Sequence, residues 1–137
     1  RPAALQEAPL PDLLRQLSDA FTGRARAPIH LTVDGGRYEL PIEVKVALYR
    51  IAQEALNNAA KHAGASQVWV SLHCTPERAI LAVRDNGAGF EPDQVAPNNL
   101  GLSIMRERAE VIGATLTVDS ETGEGTEVIV IWNAAGH

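Results

Sequence analysis

The apolar pattern of this chain points to an α+β fold, a two-layer α/β sandwich with helices packed on one face of a mixed, mostly antiparallel sheet. Three segments carry apolar residues at the 3.6-residue spacing of a helix, and five shorter ones alternate apolar with polar residues as strands do. Most of the strand segments are joined in pairs by turn-forming residues. That order fits a doubly wound parallel sheet, which needs a helix after nearly every strand, less well.

Residues 1–11 contain Pro2, Pro9 and Pro11 and read as a linker entering the domain at residue 12. Asp12 is a plausible N-cap, Leu13, Leu14, Leu17 and Phe21 recur at helical spacing, and Gly23 can close that helix. Ile29, Leu31 and Val33 alternate with His30 and Thr32 before an Asp34-Gly35-Gly36 turn. Over residues 43–62, Val44, Leu48, Ile51, Ala52, Ala55, Leu56 and Ala59 gather on one side of a long helix that Gly64 ends. Strands at 67–74 and 78–84 follow, with a Pro76-Glu77 turn between them. Residues 91–99 lose all periodicity and read as a loop able to act as a cover. Leu102, Met105, Ala109 and Ile112 mark a second amphipathic helix from about Gly101, stopped by Gly113. Strands at 115–119 and 127–132 close the chain around the Gly123-Glu124-Gly125 turn.

Composition narrows the function classes. At 137 residues, 45% of them hydrophobic, the chain suits one domain with its own core. Twelve basic against seventeen acidic residues give a net charge of -5, which argues against a nucleic-acid partner. The longest apolar run, Val128–Trp132, is far short of the ~20 residues that span a bilayer, so no direct membrane contact is expected of this segment. The single cysteine, Cys74, has no zinc-type spacing around it and reads as an idle buried thiol. A chain opening on Arg1, without a signal-peptide pattern, reads as a segment of a longer protein.

Three features carry chemistry, and each alone has an ordinary structural explanation. At roughly 100° per residue, Glu54, Asn58, Lys61 and His62 form one stripe beside the apolar face of the long helix. The Asn58 carbonyl can offer an oxygen to a hard cation such as Mg²⁺, Lys61 can meet phosphate charge, and Glu54 can orient or deprotonate a nucleophile. A solvated helix face would look the same. Asp85-Asn86-Gly87-Ala88-Gly89-Phe90 follows an apolar strand; its aspartate can accept a hydrogen bond from an exocyclic amine, and its glycines let a flat ring or a phosphate approach the backbone. Asp-Asn-Gly is also a common turn. Asn98-Asn99-Leu100-Gly101-Leu102 precedes a helix and would present free N–H groups to an anion, as every helix start does.

Taken together, E-x-x-x-N-x-x-K-H, then D-x-G-x-G-F, then Gly101-Leu102 at a helix start, then Gly123-Glu124-Gly125-Thr126 before the last strand, resemble the ATPase superfamily of gyrase, Hsp90, histidine kinases and the MutL repair proteins. Within it, residues 53–63 and 101–108 are similar to two-component sensor histidine kinases of the short-lid subclass that includes nitrate sensors. The resemblance covers roughly residues 28–132 and implies a Bergerat-type ATP-binding fold with ATP and Mg²⁺ as cofactors. It also implies roles residue by residue. Glu54 matches the acidic position that polarises the attacking group, and Asn58 the magnesium ligand. Lys61 and His62 match contacts to phosphates and adenosine, and Asp85 the aspartate that binds the adenine amino group. Gly87 and Gly89 shape that wall, Gly101 and Leu102 match the phosphate-side helix start, and Thr126 the hydroxyl of the adenine network.

Two departures stand out. Asn99-Leu100-Gly101-Leu102 replaces the subclass's usual Gly-His-Gly-Leu, and none of His30, His62, His73 or His137 lies in the H-[DE] context of a phosphoacceptor. The expectation is therefore the catalytic domain of a sensor histidine kinase, monomeric on its own and cytoplasmic. It would transfer the γ-phosphoryl of Mg-ATP to a histidine on a dimerisation domain absent from the chain, with a response-regulator receiver domain downstream. An anti-sigma-factor-type serine kinase and a degenerate interaction module of the same fold are the alternatives.

Overall fold

The computed structural model describes residues 8–36, 38–91 and 101–134, apart from the side chains of His62 and Ala63. Helix α1 (Leu10–Ala25) buries Leu10, Leu13, Leu14, Leu17 and Phe21 along one stripe. It starts two residues before Asp12, because Pro11 falls in the first turn, where a missing N–H costs nothing. It also runs past Gly23, which faces open space; Ala25 packs on the core, and Arg26 instead takes the left-handed closing conformation at φ 54°.

Strand β1 (Ile29–Gly35) leads to α2 (Ile42–Asn58), whose buried face is Val44, Ala47, Leu48, Ile51, Ala52, Ala55 and Leu56. Lys45 is buried on the same helix and donates from Nζ to the Ala8 carbonyl at 2.9 Å. Beyond Asn58 the helix widens into a π-helical turn over Ala59–Ala63, closed by Gly64 at φ 58°. Strands β2 (Val68–Thr75) and β3 (Arg78–Asp85) form the expected hairpin. Helix α3 (Leu102–Val111) then packs on α2 and β4, and β4 (Thr115–Glu121) turns back into β5 (Gly125–Asn133).

The sheet order is β1-β2-β3-β5-β4, with β1 parallel to β2 and every other pairing antiparallel. Alternation puts Val68, Val70, Leu72, Cys74, Leu81, Val83, Val128 and Val130 on the helix side, where they meet Leu14, Leu48, Ile51, Leu56 and Met105 in one core. Burial raises the pKa of the Cys74 thiol, in keeping with an unreactive core position. On the opposite face, register aligns His30, Trp69, Arg84 and Glu127 in one row, and the Arg84 guanidinium lies 3.9 Å from the Trp69 ring centre.

Candidate functional site

Where the helix layer meets the β3–β5 end of the sheet, a narrow cleft opens. Ala55 and Asn58 of α2 and Leu102 and Met105 of α3 line its helix side; Val83, Asp85, Val118, Thr126 and Val128 line its sheet side, with Gly89 and Phe90 at the loop. The walls are apolar, with Asn58, Asp85 and Thr126 supplying the polar side chains.

Asp85 ends β3 on the inward-facing register, so the alternation that buries Val83 also buries this carboxylate, which is only 8% exposed. Gly87 N–H donates to its Oδ1 at 2.8 Å, and the Thr126 N–H donates to it from β5. Desolvation raises the Asp85 pKa above the ordinary aspartate value, and the two backbone donors only partly oppose that. The neighbouring Asn86 turns outward and staples the loop: its Oδ1 accepts from Ser66 N–H at 3.0 Å and Gln67 N–H at 2.9 Å.

The glycines are required by close approach. Gly89 (φ 66°) lies against the Glu121 carbonyl and Gly125 (φ 86°) against the Asp85 carbonyl, so a Cβ at either would overlap backbone oxygen. Gly123 N–H reaches the Ala88 carbonyl at 2.5 Å, binding the post-β3 loop to the β4–β5 turn. Ser120, 6% exposed, completes that seam. Its Oγ accepts from Phe90 N–H at 2.9 Å, donates to the Gly125 carbonyl at 3.1 Å and lies 2.8 Å from Thr126 Oγ1.

Of the residues singled out from sequence, Asn58, Asp85, Gly89, Leu102 and Thr126 meet in the cleft, and Gly87 holds the Asp85 carboxylate. Glu54 sits beside it, one residue before Ala55, with its carboxylate packed on the backbone of Gly101 at the start of α3. A negative charge there is favourable to the positive end of the helix dipole. Lys61 is exposed and lags the stripe projected at 100° per residue, because the π-helical turn after Asn58 advances each residue by less. The His62 side chain, His137 and the Asn98-Asn99-Leu100 segment lie outside the described residues. His30 pairs with Gln67, and His73 with Asp34 at 3.3 Å, both away from the cleft residues.

The sequence reading missed Ser120, Asn86 and the apolar lining of Val83, Met105, Val118 and Val128. Ser120 did leave a signal, since it follows Leu116 and Val118 at the inward period of β4, where a polar residue needs a reason.

Comparisons with known proteins agree with this architecture. The model of the histidine kinase-, DNA gyrase B- and HSP90-like ATPase family matches residues 43–135, and the chain belongs to that family. Within it, the similarity runs to sensor kinases. The nitrate/nitrite sensor protein NarQ of Escherichia coli is 37% identical over 132 residues, covering 96% of this chain and 23% of that protein. The sensor histidine kinase LiaS of Bacillus subtilis is 39% identical over 130 residues, covering 95% of this chain and 36% of that protein. In structure, the histidine kinase domain of the Erythrobacter litoralis EL346 blue-light activated histidine kinase superposes with a TM-score of 0.73 at 28% identity, covering 93% of this chain and 62% of that one. The chain thus spans about a quarter to a third of the length of these curated relatives. It is an ATP-binding domain of the histidine-kinase kind, and the expected two-layer fold with a mixed sheet is the one observed. Among the described residues, no helix is long and apolar enough to cross a membrane.

Proposed function

We propose that this chain is the catalytic domain of a two-component sensor histidine kinase and that the cleft between α2, α3 and the sheet is its nucleotide site. The observation that carries the reading is the buried Asp85 carboxylate in an otherwise apolar cleft, with the Asn58 amide on the helix side. A purine matches that chemistry: Val83, Phe90, Met105 and Val118 cover a flat ring, and Asp85 accepts from its exocyclic amine.

The donor set also suits magnesium carried in by a nucleotide. Asn58 would hold the ion through its side-chain oxygen, with phosphates and water completing its shell. When bound, Mg-ATP supplies the transferable γ-phosphoryl group and the charge that neutralises it. Lys61 and His62 meet phosphate and adenosine, Gly101 and Leu102 offer the start of α3 to the phosphates, and Glu54 orients or deprotonates the attacking group. Gly87 and Gly89 keep the Asp85 wall close to the base, and Thr126 adds a hydroxyl to it. The acceptor is a histidine on a dimerisation domain outside this chain, and a response-regulator receiver domain takes the phosphoryl group next. The domain works in the cytoplasm, and as a monomer it binds nucleotide without phosphorylating itself.

Calorimetric titration of the chain with ADP and a non-hydrolysable ATP analogue, with and without Mg²⁺, tests this. Magnesium-enhanced binding that falls about a hundredfold in Asp85→Ala is expected, the size of a lost charge-assisted hydrogen bond in an apolar site. Absence of binding at millimolar nucleotide overturns the reading and favours an interaction module.

A further inference from the structure

Away from the nucleotide cleft lies a second, roomier cavity of about 370 Å³. It opens between the first turn of α1, the chain leading into α2 and the far end of β2. In the β2–β3 hairpin Cys74 pairs with Ala79 and Val68 with Asp85, so Cys74 at this cavity and Asp85 at the cleft stand about 20 Å apart along the strands. Helix α2 spans a similar distance, from Lys45 in the cavity wall to Asn58 in the cleft wall.

The walls follow from the sequence. Inward alternation along β2 brings Leu72 and then Cys74 to the cavity, and the thiol is the smallest inward side chain of that strand, so it leaves space unfilled. Pro9 and Leu10 of α1 and Leu40 ahead of α2 add apolar surface. Two hydrogen bonds pin the frame: Gly36 N–H donates to the Cys74 carbonyl at 3.3 Å, and Lys45 Nζ donates to the Ala8 carbonyl at 2.9 Å. Among the described residues, the charged groups lining the cavity are Lys45 and Glu39. Lys45 is 9% exposed, so its charge acts in a poorly solvated wall, whereas Glu39 stands at the exposed rim beside Tyr38, where water and salt screen it.

A volume of this size falls in the range of small-molecule pockets and far exceeds the voids that close packing leaves in a domain core. An apolar body fills such a space favourably, and a poorly solvated ammonium in its wall favours an anionic head over a neutral one. We propose that this cavity is a second ligand site, separate from the cleft, for a small amphiphile with an apolar body and a carboxylate head that meets the Lys45 ammonium.

Octanoate and 1-octanol, which share a chain and differ in the head, are the probes, and titration followed by amide NMR shifts gives affinity and place together. Octanoate should bind the wild-type chain at about 1 mM or tighter, the scale for a ligand of about ten heavy atoms. It should move amides within 38–45 and 72–74 and leave those of 85–89 in place. It should also bind about tenfold more tightly than 1-octanol, the scale of one charge-assisted hydrogen bond, and Lys45→Met should erase that preference. Leu40→Trp, at a half-buried position, should fill the cavity and weaken octanoate about tenfold or more while ADP binds as it does to wild type. Saturating ADP should leave the octanoate affinity within about twofold, since the two sites share no residue.

No binding at about 10 mM octanoate, shifts gathered around Asp85, displacement by ADP, or equal affinity for the two probes would each overturn the proposal. If Lys45→Met fails to fold, the wild-type preference and Leu40→Trp decide, and undiminished octanoate binding in Leu40→Trp overturns it.

Discussion

The two walls of the cleft are built differently. The sheet side is made where β3 ends and β4 turns into β5, and it is fixed by backbone: Gly89 and Gly125 touch carbonyl oxygens, Gly123 bonds Ala88, and Asp85 and Ser120 are buried with their hydrogen bonds inside the seam. The helix side is made from the last turn of α2 and the first of α3, where Asn58 and Glu54 are half-buried and Lys61 is in water. An apolar ring with one polar edge needs walls set to a fraction of an ångström, whereas a polyphosphate with its ion needs charge and access to water. The contrast teaches that shape recognition sits on strands, while charge handling sits on helix ends.

The largest expected effect breaks the sheet side. Gly125→Ala pushes a methyl into the Asp85 carbonyl and the Asn86 Cα, both backbone, so nothing nearby can swing away. Thermal or urea unfolding should show a loss of about 3 kcal/mol, with nucleotide binding lost in parallel. Gly64→Ala is the matching change on the helix side, at the end of the π-helical turn. It has the same sign of φ and open space around it, so it should cost only about 1 kcal/mol, the strain of a left-handed residue. Equal costs would mean that the sheet-side seam is as forgiving as the helix end.

The same contrast explains what the sequence disclosed. Period-two alternation carries β2 to β5 and even buries Asp85, because facing in a strand is a matter of counting. Helix faces are as legible until the helix changes pitch: the π-helical turn at 59–63 leaves no mark in the residue spacing, so counting at roughly 100° per residue puts Lys61 further into the stripe than it lies. Gly23 looked like a stop because glycine usually is one, but the packing of Ala25 outweighs its helix propensity. Ser120 stayed hidden because its role depends on partners 30 residues upstream and six residues downstream, brought together only by folding.

A second, smaller effect separates the walls by ligand rather than by stability. Asn58→Ala should leave magnesium-free ADP binding within about twofold, and should remove most of the roughly tenfold gain expected from Mg²⁺, since the metal loses its protein oxygen. Lys61→Ala, at an exposed position, should weaken nucleotide binding about threefold or less and more so at low salt. Titrations with and without the metal check both. If Asn58→Ala weakened metal-free and metal-bound nucleotide alike, Asn58 would belong with the shape-reading wall.

The smallest effect concerns what the sheet side costs the empty domain. Burial raises the Asp85 pKa above its ordinary 3.8, so the folded state holds this proton more tightly than the unfolded chain does. Where both states are protonated, below the ordinary value, Asp85 imposes no penalty. As pH rises the unfolded chain ionises first, and the folded state loses stability until the pH passes the raised folded value, above which the penalty is constant. Asp85→Asn removes the titration while keeping the shape and one acceptor oxygen. Urea unfolding of the nucleotide-free chain from about pH 4 upward should therefore show wild type losing stability relative to Asp85→Asn as pH rises, with the difference flat once the pH has passed the raised folded value. A difference running the other way would mean that the Gly87 and Thr126 N–H groups outweigh desolvation. On the expected result, the carboxylate best placed to recognise an amine weakens the empty fold, and nucleotide binding relieves that strain by giving it a partner.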